Sequence, residues 1–172
     1  ICGEGGAFIT NDDRLADKAQ IIREKGTNRS QFLRGQVDKY TWVEKGSSYI
    51  LAEPLAAILS AEVDIMHELN KKRGVVHHYY MHKLKQLEEK EILALPNIPN
   101  DCETNFHLFH ILLKNEQSRN SLMAYLREKG IGATFHYIPL HSAPAGERLG
   151  NKKNELPLTE EYASRLLRLP LY

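Results

Sequence analysis

The stretch that decides the fold is ICGEGGAFITND, residues 1–12. Its glycines let the backbone turn tightly or approach a ligand closely. Ala7–Thr10 is a short apolar run between the glycines and Asn11, which predicts a buried strand that ends in a turn. Alone, the glycine segment is more typical of a tight turn than of a nucleotide loop, because it lacks the glycine gap and the Lys-Ser/Thr pair of a Walker motif.

Helical spacing of apolar residues dominates the part of the chain that follows. Residues 13–26 predict a helix that begins at a capping aspartate and ends at a glycine. Residues 27–48 show no clean period, and a polar loop of this length usually has a function. Pro54 begins a helical pattern that continues to about Lys90 and is expected to break near Gly74.

The last third of the chain mixes strand and helix patterns. Residues 105–113 alternate with both faces largely apolar, which predicts a strand. A helix capped by Ser118 is expected next, followed by a second strand over residues 131–138. A final helix is expected to begin at Thr159 and to carry Leu166–Leu167. This order of elements indicates an α/β fold with a small α+β unit at its end.

Bulk composition excludes several classes of protein. The 172 residues are 42% hydrophobic and carry a formal net charge of +1, so a strongly basic nucleic-acid binder is not expected. No apolar run approaches the roughly 20 residues that span a bilayer. Cys2 and Cys102 are too few for a disulfide framework, which favours a reducing cytosol. Cys2 has no identifiable activating base and is not expected to be a nucleophile.

Two polar clusters are candidates for ligand binding. Gly46–Tyr49 precedes a predicted helix, where amides and hydroxyls form either an anion site or an ordinary cap. His136, Tyr137 and His141 stand where a strand runs into a loop, and their side chains suit hydrogen bonds to sugar hydroxyls. A surface pair of histidines is the alternative. A third ligand at useful spacing is missing, so no metal is expected there.

Another histidine cluster lies on the long predicted helix. His78 and His82 are four residues apart, with His77 beside them, and this spacing is compatible with a metal pair. Tyr79 stands where a zincin motif has glutamate. Residues of an ordinary helix face are therefore the favoured interpretation, and no metal is predicted for the chain.

In their order, these motifs resemble the DegT/DnrJ/EryC1/StrS aminotransferases over nearly the whole chain. The blocks that carry the resemblance are GEGGA (3–7) with ITND (9–12), REKGTNRSQF (23–32), RGQVDKYTW (34–42), GSSY (46–49), HYIPLH (136–141), PAGE (144–147) and RLLRLPL (165–171). GTNRS and HYIPLH are the most specific. The full set resembles the branch of the family that produces dTDP-4-amino-4,6-dideoxygalactose.

The resemblance implies the C-terminal part of a fold type I transferase that depends on pyridoxal phosphate (PLP). Residues 1–50 would be the end of the large PLP-binding domain with an interface loop. Residues 51–172 would be a connecting helix and a small C-terminal domain that is incomplete at its C-terminus. The family's cofactor lysine, ring-stacking aromatic and pyridine-pairing aspartate are expected upstream of Ile1. No catalytic residue is therefore assigned within the chain, and the chain alone is predicted to be inactive.

The resemblance also implies a homodimer with shared active sites. The segment with Gly46 and Ser48 would reach the PLP phosphate of the neighbouring subunit. Many relatives have asparagine at the position of Ser48 and arginine or asparagine at that of Ile50. Ser48 still offers a hydrogen bond, whereas Ile50 offers none and departs from the family pattern.

The remaining site residues concern the substrate. By resemblance, His136, Tyr137 and His141 would line the sugar pocket. Arg29 and Arg34 are expected to bind the nucleotide diphosphate, because guanidinium pairs with phosphate in bidentate fashion. The implied reaction moves the amino group of L-glutamate to the 4-keto carbon of a dTDP-4-keto-6-deoxyhexose.

Two alternatives stay open at this stage. The chain is compatible with a non-catalytic module that binds a nucleotide sugar or a partner, and with a transaminase for another keto nucleotide sugar. A cytoplasmic enzyme of lipopolysaccharide or enterobacterial common antigen biosynthesis, with no nucleic-acid or membrane partner, is the favoured hypothesis.

Overall fold

A computed structural model describes residues 2–171 of the chain. The chain divides into two compact units, Ile1–Met66 and His67–Tyr172. Within residues 2–171, none of the helices combines the length and the apolar character needed to cross a membrane.

The first unit contains three helices: α1 (Asp13–Arg23), α2 (Arg29–Leu33) and α3 (Glu53–Asp64). The cap of α1 is Asp12, one residue before the predicted start, and its carboxylate accepts the Arg14 N–H at 2.9 Å. The helix ends at Arg23, three residues before the predicted end at Gly26. Lys25 and Gly26 both have positive φ, 62° and 74°, and the Gly26 N–H donates to the Ile21 carbonyl at 2.9 Å, which closes the end of the helix. Pro54 lies in the first turn of α3, as expected.

The predicted buried strand at Ala7–Thr10 is wrong for this chain. The segment has no strand partner among the described residues, and Phe8 and Ile9 are 66% and 89% exposed. A strand requires a neighbour for its backbone groups. Within residues 2–171 the apolar run therefore has no strand partner, and it lines a groove of about 1190 Å³ beside α1.

The second unit combines helices with one antiparallel sheet. Its elements are α4 (Met66–Glu89), which begins at the division between the units, β1 (Leu93–Ala94), β2 (Phe109–Leu113), α5 (Glu116–Glu128), β3 (Thr134–Phe135), a 3-10 helix (Leu140–Ser142), α6 (Pro144–Arg148), α7 (Pro157–Arg165) and β4 (Leu166–Leu169). The strand order is β1-β2-β4-β3, and every pair is antiparallel. This arrangement agrees with the α/β class and the small α+β unit expected from the sequence.

The core of the second unit lies on one face of this sheet. Alternate residues of β2, Phe109 and Ile111, are buried, and Leu167 of β4 pairs in register with Ile111. Tyr80 of α4 stacks on Phe109 with ring centroids 4.8 Å apart. The alternation seen in the sequence is thus the pleat of a strand packed against a helix.

Leu166–Leu167 corrects the predicted final helix. The helix ends at Arg165, and the two leucines begin β4 in the middle of the sheet. Leu167 has no exposed surface, because it lies between Ile111 and Phe135 of the neighbouring strands. The predicted strand over residues 131–138 shortens to Thr134–Phe135, and the one over residues 105–113 begins only at Phe109.

Two further helix predictions are also corrected. The long helical run breaks at Ile65, not at Gly74, which lies buried inside α4. A Cβ on Gly74 would lie 3.0 Å from the Phe106 ring, so the glycine allows a close approach and not a break. The cap of α5 is Asn115, whose side chain accepts the Ser118 N–H at 2.9 Å. Ser118 is therefore inside the helix it was expected to cap.

Candidate functional site

The irregular segment between α1 and α3 is held in place by the turn that follows α1. The carbonyl of Gly26 accepts the N–H groups of Val43 and Glu44 at 2.8 and 3.0 Å. The side chain of Asn28 accepts the Thr41 N–H at 2.7 Å and donates to the Lys39 carbonyl at 3.2 Å. The loop is therefore ordered by backbone and amide hydrogen bonds despite its lack of sequence period.

The Gly46–Tyr49 segment is fixed to the end of α1. Lys25 N–H donates to the Ser47 carbonyl, and Ser47 N–H donates to the Ile22 carbonyl, both at 3.0 Å. Tyr49 N–H donates to the Arg23 carbonyl, also at 3.0 Å. The segment does not cap α3, whose cap residue Ala52 makes no side-chain cap bond. The interpretation as an ordinary cap is therefore wrong.

Gly46 and Ser48 differ in what they offer a ligand. A Cβ on Gly46 would lie 2.3 Å from the Gly26 nitrogen and 2.6 Å from the Ile22 carbonyl oxygen. Only glycine fits there, so Gly46 has a packing reason of its own. Ser48 is exposed, and its backbone forms a bridge with Glu24. Ser48 is therefore displayed on a segment whose position is fixed.

Arg29 is the better-positioned of the two predicted arginines. Its Nη1 lies 2.5 Å from Oε1 of Glu24, and the side chains are 50% and 8% exposed respectively. The hydrogen bond and charge of Glu24 raise the pKa of Arg29 above its ordinary value. Arg34, five residues further along, is the C-terminal cap residue after α2 and is exposed. Ile50 is also exposed and offers only apolar atoms.

The second predicted set lies in the second unit, beside α7. His136 and Tyr137 line an open groove of about 490 Å³. Their rings meet edge to face at 5.1 Å, and the Arg168 guanidinium lies 5.9 Å from the Tyr137 ring. His141 is in the adjoining 3-10 helix. The structure therefore brings two of the three predicted sugar-binding side chains to one concave surface.

His141 lies beside Glu160, a residue that the sequence analysis did not single out. Its Nε2 lies 3.1 Å from Oε1 of Glu160, in the first turn of α7, and the side chains are 10% and 23% exposed. The atoms are close enough for an ion pair but not aligned as a hydrogen bond. The structure therefore places the carboxylate of Glu160 directly beside the ring of His141.

The histidines of α4 serve different purposes. His77 is buried against the rings of Phe106 and Phe109, at 5.1 and 5.0 Å. Burial, assisted by His78, lowers the pKa of His77 and keeps its ring neutral. His78 and His82 are exposed. Among residues 2–171, no group of three histidine, cysteine or acidic side chains is placed to hold a metal ion.

A partly buried imidazole lies in the sheet. His110 of β2 has its pKa lowered by burial first, and then by the charges of His136 and His77. It stands beside Arg168 of β4 in the strand register. Sequence reasoning treated His110 only as a strand residue, because alternation alone does not distinguish a buried imidazole from a solvated one.

Comparison with known proteins decides the family. The model of the DegT/DnrJ/EryC1/StrS aminotransferase family matches residues 1–172. The chain belongs to this family. Pyridoxal phosphate is the cofactor of these aminotransferases, and one structural neighbour is known in its PLP form. The family also fixes the fold class as the C-terminal part of a fold type I transferase.

Relatives of this aminotransferase family member cover it almost completely. The pleiotropic regulatory protein of Geobacillus stearothermophilus is 32% identical over 99% of this chain and 42% of its own length. The dTDP-3-amino-3,6-dideoxy-alpha-D-galactopyranose transaminase of Aneurinibacillus thermoaerophilus is 28% identical over 97% of this chain and 41% of its own. The chain thus spans about two fifths of the length of these relatives.

A solved structure gives the same extent. Streptomyces venezuelae DesV, in complex with a ketimine intermediate, aligns with a TM-score of 0.81 and 27% identity. It covers 95% of this chain, which corresponds to 40% of DesV. Nearly the whole of this chain therefore has a counterpart within the single chain of DesV.

Proposed function

We propose that the full-length protein containing this chain is a PLP-dependent nucleotide-sugar aminotransferase. It moves the amino group of L-glutamate to the 4-keto carbon of a dTDP-4-keto-6-deoxyhexose and yields dTDP-4-amino-4,6-dideoxygalactose. Family membership supports the reaction class, and two relatives named as dTDP-amino-sugar transaminases support the nucleotide. The choice of the 4-keto carbon rests on the motifs GTNRS and HYIPLH.

The observation that carries the proposal is the fixed loop of the first unit. Its hydrogen bonds to the end of α1 leave Ser48 exposed and Arg29 half exposed. A phosphate needs hydroxyl, amide or guanidinium donors that are already oriented, and this loop offers the first and the last. The residues present therefore fit a phosphorylated cofactor and a nucleotide diphosphate.

The candidate site residues of the first unit have distinct roles in this proposal. Ser48 would donate a hydrogen bond from its hydroxyl to the PLP phosphate. Gly46 would allow the close backbone packing that holds Ser48 in place. Arg29 and Arg34 neutralise the nucleotide diphosphate. In the homodimer we propose, this segment serves the partner's site, so that both active sites are shared.

The groove of the second unit is assigned to the sugar. His136 and Tyr137 present imidazole and phenol groups to its hydroxyls, and His141 is oriented by Glu160. When bound, PLP supplies the electron sink for amino transfer. We assign no lysine of this chain as the one that would hold PLP, and we expect the chain alone to be inactive.

The test uses the full-length protein with PLP, L-glutamate and dTDP-4-keto-6-deoxyglucose. We expect 2-oxoglutarate and an amino sugar in equal amounts, with the galacto configuration by NMR. Amination at the 3-keto position of another nucleotide sugar would instead support the alternative of a transaminase for a different keto nucleotide sugar. Binding of a nucleotide sugar without PLP and without amination would contradict the enzyme and favour a binding module.

Such a reaction supplies amino sugars for lipopolysaccharide or enterobacterial common antigen, and we propose a cytoplasmic location for it. Its substrates are water-soluble nucleotide sugars and amino acids. Fractionation of cells expressing the tagged full-length protein tests the location, and loss of the amino sugar from surface polysaccharide in a deletion strain tests the pathway.

A further inference from the structure

Glu24 is a buried acid at the point where the predicted phosphate contacts meet. It follows the last residue of α1, and its side chain is only 8% exposed. Its Oε1 lies 2.5 Å from Nη1 of Arg29, and its backbone forms the bridge with Ser48. Glu24 is therefore linked to two of the predicted anion-binding residues of the first unit: its carboxylate contacts Arg29, and its backbone pairs with Ser48.

Its own position is fixed from several sides. The carbonyl of Glu24 accepts the Thr27 hydroxyl at 2.8 Å and the Thr27 N–H at 3.1 Å. Its N–H donates to the Ile21 carbonyl at 3.2 Å. A buried carboxylate is costly unless a cation compensates it, and Arg29 is that cation. The ion pair therefore has a defined geometry that an exposed pair lacks.

Arg29 keeps donors for a second anion. A guanidinium has five N–H donors in a rigid fork, and the contact with Glu24 uses the Nη1 end. Half of the side chain remains exposed, so solvent or a ligand reaches it. A guanidinium held on one edge by a buried carboxylate is already oriented for an anion on the other, which lowers the entropy cost of binding.

We propose that Glu24 is a positioning residue that orients Arg29 toward the diphosphate of the nucleotide sugar. This inference rests on the proposed function, because it requires a nucleotide sugar as ligand. It also distinguishes the effect of the Glu24 side chain from that of its backbone. Within residues 2–171 the carboxylate contacts Arg29, whereas the link to Ser48 runs through the backbone. Removing the carboxylate weakens nucleotide binding and leaves the cofactor contact in place.

The experiment measures dTDP affinity by calorimetry in the full-length protein with PLP bound. Glu24→Gln is expected to weaken dTDP binding on the order of tenfold, which corresponds to one charge-assisted hydrogen bond. PLP absorbance and the rate of amino transfer from L-glutamate are expected to stay unchanged. Arg29→Ala should weaken dTDP binding as well, and the double variant should be no weaker than Arg29→Ala alone.

Glu44→Gln is the matched control. Glu44 lies in the same unit and is 46% exposed. Its carboxylate lies 3.9 Å from Nζ of Lys18 and accepts the neighbouring Lys45 N–H at 2.8 Å. Its substitution is expected to leave dTDP affinity unchanged. A merely structural role of Glu24 would instead reduce PLP retention and dTDP binding together, and that result would overturn the proposal.

The outcomes separate this inference from the proposed function. A folded Glu24→Gln variant with wild-type dTDP affinity overturns the positioning role, even if Arg29→Ala weakens binding. A wild-type protein that neither binds dTDP nor aminates a keto sugar overturns the proposed function itself. If Glu24→Gln does not fold, Glu24→Asp decides the matter. Arg29→Ala should then weaken dTDP binding by a smaller factor in that background than in wild type, and equal factors contradict the role.

Discussion

Replacing Gly46 with alanine tests whether close packing holds the Ser48 segment on α1. The added Cβ would lie 2.3 Å from the Gly26 nitrogen, against a shortest ordinary separation of 3.4 Å, so the backbones must part by about 1.1 Å. That shift breaks the Lys25–Ser47 and Ser47–Ile22 hydrogen bonds, each now 3.0 Å long. At roughly 1 kcal/mol per bond, local stability falls by about 2 kcal/mol.

Hydrogen exchange of the full-length protein measures this loss of local stability directly. The amides of Lys25 and Ser47 are expected to exchange about thirtyfold faster in Gly46→Ala, the equivalent of about 2 kcal/mol, and PLP retention should fall because Ser48 is displaced. Gly6→Ala is the control, since no neighbouring atom lies within 4 Å of its added Cβ. Unchanged protection of both amides in Gly46→Ala would refute the packing argument.

Three other substitutions probe the second unit. Leu167→Ala should lower the free energy of unfolding by about 2–5 kcal/mol in chemical denaturation, because the side chain is fully buried in the sheet. His77 is held neutral by burial, so its stabilising contribution is complete above pH about 6.5 and is lost as the pH falls. His77→Gln should flatten this dependence in unfolding titrations between pH 7.5 and 5.5, on the order of one proton. Glu160→Gln should raise KM for the keto sugar severalfold by releasing His141, with dTDP affinity unchanged.

Each has a control and a contradicting result. Leu149→Ala, at an exposed position of the same unit, should change the stability by no more than about 0.5 kcal/mol. A similar loss in both leucine variants would contradict the assigned core. His82→Gln should leave the pH dependence of the free energy of unfolding unchanged. If burial of His77 does not cause that dependence, His77→Gln will leave it unchanged as well. Equal KM values in Glu160→Gln and wild type would deny that Glu160 orients His141.

Much of the helical structure could be predicted from local chemistry. The cap before α1, the glycine after it and the proline in the first turn of α3 are signals that act within a few residues. The strand at Phe109–Leu113 was visible because alternate side chains face a core. These elements depend little on distant parts of the chain.

Several of the errors involve distant contacts. Leu166–Leu167 extends a helical spacing, but the pairing of Leu167 with Ile111 across the sheet decides its conformation. A glycine within a helical pattern is typical of a break, but Gly74 lies inside α4, where the Phe106 ring packs closely against it. Ala7–Thr10 has the composition of a strand, yet composition does not supply a neighbouring strand.

The site shows the same division. Arg29 and Ser48 are proposed from motifs and charge, because the residue types themselves carry the chemistry. Glu24 and Glu160 were missed, since nothing local distinguishes a buried acid that holds a site residue from a solvated one. Tertiary contacts decide that difference, and motif spacing does not express it.

The central claim is tested most directly by the reaction of the full-length protein. Purified with PLP, it should convert L-glutamate and dTDP-4-keto-6-deoxyglucose into 2-oxoglutarate and dTDP-4-amino-4,6-dideoxygalactose, followed by mass spectrometry and NMR of the sugar. One amino sugar should appear for each 2-oxoglutarate. A protein that retains PLP and nucleotide sugar but transfers no amino group to any keto sugar would contradict the account.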